Sequence, residues 1–196
     1  MRLLSDFTDY YDTVFDGEGE ELKRYDNRGT SFPVSMWEII RLLNIHNTVP
    51  LYGYPYSLFE DLKQDSKVIV YTHPYYKHTK EVTLEEADRD FPNCLTVQKV
   101  ENNDNRILCY RLLHIGRHIL WLHYSIDGTC GISKPLTKND EKDEYSCFKM
   151  YSIDYIKNKQ DNCIYAINLD TSPLLKGSPV EQLLKAEDII ELLKST

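Results

Sequence analysis

The residues best suited to chemistry lie in the stretch Tyr151–Gly177, YSIDYIKNKQDNCIYAINLDTSPLLKG. Two apolar-rich runs, Phe148–Ile156 and Cys163–Leu169, read as strands joined by the polar turn Lys157–Asn162. Asp154 falls on the first strand, and Asn168 and Asp170 on the second. Side chains alternate along a strand, so Asn168 and Asp170 share one face. With the hairpin in register, Asp154 can point to that face too. Two carboxylates and one amide would then meet, a set suited to a hard cation such as Mg²⁺ that also takes substrate phosphates. The same acids suit solvated strand and turn positions, and Asp170-Thr171-Ser172-Pro173 by itself is an ordinary turn sequence.

Several elements must position this hairpin. Leu95–Val100, Ile107–Ile115 and His118–Tyr124 read as strands, the last two joined through a tight turn at Gly116-Arg117. Lys67–Tyr71 (KVIVY) is a short buried strand. Ser35 with Glu38 and Thr83 with Glu86 are capping boxes. The first opens a helix to about Asn44, with Met36, Ile39, Ile40 and Leu43 at core spacing. The second opens a short acidic helix that stops before Pro92. Ser178, Pro179 and Glu181 announce a closing helix whose buried side is Leu183, Leu184, Ile189, Ile190, Leu192 and Leu193. Phe7–Phe15 suggests a short helix, Pro50–Tyr56 a turn-rich connection, and Gly128–Glu144 a polar loop.

The bulk properties narrow the function classes. The 196 residues suit one domain, or one domain with a small added lobe. A net charge of -8 argues against binding to a nucleic-acid duplex, which needs a basic face, and leaves a cationic protein partner open. No apolar run approaches the ~18 residues of a membrane span. The five cysteines form no CxxC pair, so free thiols and a cytoplasmic location are expected. His118 and His123 are five apart and face opposite sides of a strand, which speaks against a metal shared with His114. No Gly-x-Ser-x-Gly elbow or HExxH is present.

The hairpin followed by Thr-Ser-Pro and a downstream glycine resembles the ATP-grasp ligases, particularly the RimK-like carboxylate–amine ligases. Those carry an Asp on one strand, then Glu-x-Asn on the next. Here Asn168-Leu169-Asp170 exchanges the last two, keeping two carboxylates and one amide. Upstream, Thr96-Val97-Gln98-Lys99-Val100 resembles the family's "VQE" strand, which leads into the hinge against adenine. Tyr110-Arg111-Leu112-Leu113-His114-Ile115-Gly116 resembles its "YRV…IG" strand. The resemblance covers the half of the chain from about Leu95 onward. It implies an α+β fold with an ATP-grasp-like antiparallel sheet and flanking helices over 91–196, and a small, divergent N-terminal lobe over 1–90. It further implies ATP and Mg²⁺ as cofactors, Mg²⁺ at Asp154, Asn168 and Asp170, nucleotide contacts at Gln98, Lys99 and Val100, and Arg111 as a catalytic clamp on developing charge.

There are also departures from the family. Lys99 stands where the family has a hinge acid. No glycine lies between Gly53 and Gly116 to supply a phosphate-covering loop. Tyr71 stands near the usual nucleotide lysine, with Lys67, Lys77 and Lys80 as neighbouring substitutes. Two expectations follow. One is an ATP-dependent ligase joining a carboxylate, small-molecule or peptide, to an amine through an acyl phosphate. The other is a non-catalytic acidic binding protein on the same fold, such as a viral or mobile-element accessory factor that binds a protein partner.

Overall fold

A computed structural model describes residues 2–5, 11–15, 21–26, 35–73, 78–136, 145, 150–170, 173, 180, 183–185, 188 and 192, with side chains described from Ser35 onward. Three strands, β1 (Arg2–Ser5), β2 (Tyr11–Phe15) and β3 (Glu21–Asp26), form an antiparallel sheet in chain order. The helix expected over Phe7–Phe15 is therefore corrected: its described part, Tyr11–Phe15, pairs on both sides as a strand. The aromatic and β-branched residues Tyr11, Thr13, Val14 and Phe15 suit a ladder at least as well as one helical turn.

Helix α1 (Met36–His46) starts at Ser35, whose hydroxyl accepts from the Glu38 amide while the Glu38 carboxylate accepts from the Ser35 amide. Two backbone donors at the helix start are thereby satisfied reciprocally. The connection after α1 contains the two-residue strand β4 (Tyr52–Gly53) and the short helix α2 (Pro55–Leu58). Then come β5 (Lys67–Tyr71), β6 (Thr79–Thr83), α3 (Leu84–Asp90) and β7 (Leu95–Gln98). The second capping box, Thr83 with Glu86, forms as the sequence expects. Four of these strands make an antiparallel sheet ordered β4-β7-β5-β6. α3 covers it through Leu84 and Ala87, which meet Leu58, Val68 and Val70.

The larger sheet has five antiparallel strands ordered β10-β9-β8-β11-β12. β8 (Ile107–Ile115) and β9 (His118–Ser125) close through Gly116, whose φ of 61° is open to glycine without steric cost. β10 (Cys130–Ile132) lies inside the stretch expected to be loop; it pairs with β9. β11 (Met150–Lys157) and β12 (Ile164–Asp170) form the expected hairpin, its turn holding Asn162 at φ 58°, which asparagine tolerates. Of the closing helix, Asp188 and Leu192 are helical. Leu183, Leu184 and Leu192 pack with Val180 on Leu113, Ile115 and Leu122 of the sheet. The cap residues Ser178, Pro179 and Glu181, with Ile189, Ile190 and Leu193, lie outside the described residues, as do Thr171 and Ser172.

α1 serves both sheets. Leu43, with no exposed surface, packs on the five-stranded sheet among Trp121, Tyr151, Ile153, Tyr155, Ala166 and Leu169. Met36 and Ile40 pack instead on Leu95 of the smaller sheet. Truncating a fully buried leucine removes its transfer energy and leaves a cavity. Leu43→Ala should cost about 3 kcal/mol of unfolding free energy, read as a lowered urea midpoint with an unchanged slope.

Candidate functional site

The site grows from the register of three adjacent strands. Asp154 on β11 lies directly opposite Asn168 on β12 and Arg111 on β8. Ser152, two residues earlier on the same face, lies opposite Asp170 and Leu113. The pairing shifts between Asp154 and Tyr155: Asp154 meets Asn168, but Tyr155 meets Ala166. The extra residue, Ile167, is a bulge. It lets Asn168 stay on the face of Asp154 while Ala166, an even number of residues away, joins the apolar cluster on the other face.

Arg111 grips Asp154 with a two-pronged fork, Nε to Oδ1 at 2.6 Å and Nη2 to Oδ2 at 3.0 Å. Asn168 donates from Nδ2 to the same Oδ2 at 3.0 Å. A carboxylate only accepts, so the Asn168 amide must present its NH₂ group there and turn Oδ1 away. That oxygen is buried and accepts no hydrogen bond, and the hydroxyl of Ser152 is also buried without a partner. Beneath the guanidinium lies the ring of Tyr124, 4.8 Å from its centre, with the Tyr124 hydroxyl 3.5 Å from Nη1.

Burial shapes the protonation states. It works against the charge of Arg111, yet the hydrogen bonds and attraction of Asp154 outweigh it and hold the guanidinium above its ordinary pKa. Burial pushes the Tyr124 hydroxyl up to about 12 and the Cys109 thiol up to about 12, the latter helped by Asp154. Cys109 is thus a thiol rather than a nucleophilic thiolate at neutral pH. Cys109 and Cys130 flank Tyr124 on opposite sides, both in register with it.

Of the residues expected from the sequence, Arg111, Asp154, Asn168 and Asp170 come together on one face of the large sheet. Gln98, Lys99 and Val100 stand elsewhere, at the end of β7 in the smaller sheet. Gln98 is tied to Leu51 by its backbone N–H, which donates to the Leu51 carbonyl at 2.7 Å. Lys99 forms an ion pair with Glu81 at 2.8 Å. Tyr71 packs in the core near Met36, and Lys80 lies over the Phe91 ring. Lys77 is outside the described residues. His114 stacks on Tyr151 at 4.6 Å, within the core face. No group of three or more His, Cys, Asp or Glu side chains among the described residues is arranged to hold a metal ion. Among the described residues no helix is long and apolar enough to cross a membrane. Tyr124, Cys109 and Ser152 have no local sequence signal: only cross-strand register brings them to the site.

Breaking one half of a buried ion pair strands the other charge, whereas replacing both with apolar groups is often nearly neutral. Arg111→Ala should lower stability by about 3 kcal/mol, and the double change Arg111→Met with Asp154→Leu should recover most of it. Chemical denaturation of the three proteins checks this. Equal losses in the single and the double variant would show the pair to be of little consequence.

No family model matches the sequence, and no curated protein matches it significantly. Solved structures do. The ATP-grasp ligase PsnB, complexed with a phosphomimetic variant of a minimal precursor, Mg and ADP, superposes with a TM-score of 0.61 at 10% identity, over 83% of this chain and 58% of that one. The macrocyclase MdnC of Microcystis aeruginosa MRC, bound to precursor peptide MdnA, gives 0.56 at 13% identity, over 81% and 58%. A RiPP-associated ATP-grasp ligase of Chryseobacterium gregarium, in complex with ADP and a leader and core peptide, gives 0.52 at 13%, over 79% and 56%. The chain thus spans less than two thirds of the length of each. The likeness extends over more of the chain than the half in which the sequence resemblance was legible. The chain has an α+β, ATP-grasp-like fold.

Proposed function

We propose that the chain works as an ATP-grasp ligase, or as part of one, joining a carboxylate to an amine at the expense of ATP. The observation that carries this is the convergence of Arg111, Asp154, Asn168 and Asp170 on one face of the large sheet, with the Asn168 amide oxygen left unpartnered. The fold is shared with ligases solved with ADP, Mg and precursor peptides. By that analogy the substrates are a nucleotide and a peptide or small-molecule carboxylate.

In the reaction, an oxygen of the substrate carboxylate attacks the γ-phosphorus of ATP, and ADP leaves. An amine nitrogen then attacks the acyl carbon, the carbon–oxygen bond to phosphate breaks, inorganic phosphate departs, and the amine loses a proton to solvent. Arg111, held charged and pre-aimed by Asp154 and Tyr124, supplies a guanidinium for the charge that builds on the transferring group. A divalent cation held by the oxygens of Asn168 and Asp170 would neutralise phosphate charge when bound. Gln98, Lys99 and Val100, on the strand leading out of the smaller sheet, are the candidates for the adenine edge.

A second reading has its own support. Both oxygens of Asp154 are already engaged by Arg111 and Asn168, and Lys99 is paired with Glu81. A non-catalytic acidic protein that binds a protein partner would keep such closed pairs. Calorimetric titration of ATP with and without Mg²⁺ separates the two. The ligase reading expects binding that needs Mg²⁺ and is weakened about tenfold or more in Asp170→Ala. No heat from the wild type under either condition would overturn it.

A further inference from the structure

Within that nucleotide-binding reading, we propose that Asp154 is not a ligand of the cation but the counter-ion that positions Arg111. The cation seat is then formed by Asp170, the amide oxygen of Asn168 and the hydroxyl of Ser152. By analogy with the ligases Asp154 would coordinate the metal; the geometry here gives it another duty.

Three observations carry the assignment. First, Asp154 receives three donors, two from the guanidinium at 2.6 and 3.0 Å and one from Asn168 at 3.0 Å. A Mg²⁺ ion binds oxygen at about 2.1 Å, so at Asp154 it would sit within a few ångströms of a guanidinium cation in a poorly solvated place, where like charges repel strongly. Secondly, that same hydrogen bond fixes the Asn168 amide with its oxygen turned away from Asp154, buried and without a donor. Thirdly, Ser152 has no exposed surface, its hydroxyl has no partner, and it lies across the ladder from Asp170 on the same face. A buried hydroxyl and a buried amide oxygen left unmatched cost free energy unless a ligand completes them. Their neighbour in register is a carboxylate. One carboxylate with neutral oxygens, the rest supplied by phosphates and water, is an ordinary complement for Mg²⁺. The ion pair being neutral overall, Asp170 supplies the charge of the seat.

Electron paramagnetic resonance of Mn²⁺ on the purified chain, at saturating ADP, reads the seat without turnover. Asp170→Asn should weaken Mn²⁺ binding by about tenfold or more, and Ser152→Ala by a smaller but measurable factor. Asp154→Asn, which keeps an oxygen to accept from the Asn168 amide, should lower Mn²⁺ affinity far less than Asp170→Asn does while weakening ADP, because a loosened Arg111 loses its aim. Loss of Mn²⁺ in Asp154→Asn with the fold intact by circular dichroism, alongside no change in Ser152→Ala, overturns the assignment and leaves the nucleotide reading standing. A wild type that binds neither ADP nor Mn²⁺ removes both. Should Asp154→Asn fail to fold, Ser152→Ala decides between the two ligand sets on its own: an unmoved Mn²⁺ signal there overturns the proposal.

Discussion

A guanidinium and a carboxylate buried in a sheet interior must be buried together. Desolvating either alone costs several kcal/mol, and mutual attraction repays it only when the geometry is good and the remaining lone pairs are filled. At Arg111 and Asp154 those conditions are met by parallel bonds, by the Asn168 amide and by the Tyr124 ring under the guanidinium. The pair constrains what surrounds it. β8, β11 and β12 cannot slip by one residue without sending one of its members into the core face, where Tyr155, Ala166 and Leu169 pack. The ion pair therefore specifies register as much as it supplies charge, and the bulge at Ile167 reconciles that register with the apolar packing beyond it.

The large sheet was legible because its strands carry strong alternating patterns with glycine and asparagine at the turns. Asn168 and Asp170 could be gathered by strand alternation, and Asp154 by an in-register hairpin, whereas Arg111 entered through the family resemblance alone. Both capping boxes were equally plain, since the cap chemistry is local. The chain's first thirty residues were not: Tyr11–Phe15 is too short for periodicity to tell one helical turn from a strand. β6 is polar, β10 is only three residues long and contains a glycine, and both lie at sheet edges, so they lack the apolar pattern that marks a buried strand. The contacts that give the site its character, Tyr124 beneath Arg111 and the unmatched hydroxyl of Ser152, arise from cross-strand neighbours dozens of residues apart. Nothing in either residue's immediate sequence announces them.

The smaller sheet shows how far a shared architecture can be furnished differently. The ends of β5 and β7 occupy the places where the sequence resemblance led one to look for nucleotide contacts. Tyr71 has become a core residue, and Lys99 answers Glu81 across the sheet. A partly exposed pair of this kind contributes little to stability and is readily exchanged for another partner. The Lys99–Glu81 contact can thus open for an anionic ligand at small cost, whereas the Arg111–Asp154 fork cannot.

α1 lends one surface to each of the two main sheets, through Leu43 on one side and Met36 with Ile40 on the other. Two cores that share a helix cannot melt one at a time, because losing the helix uncovers apolar surface in both. The cooperative unit of this protein is then larger than either sheet. Hydrogen exchange in β5 and in β11, although they belong to different sheets, should proceed through the same opening event.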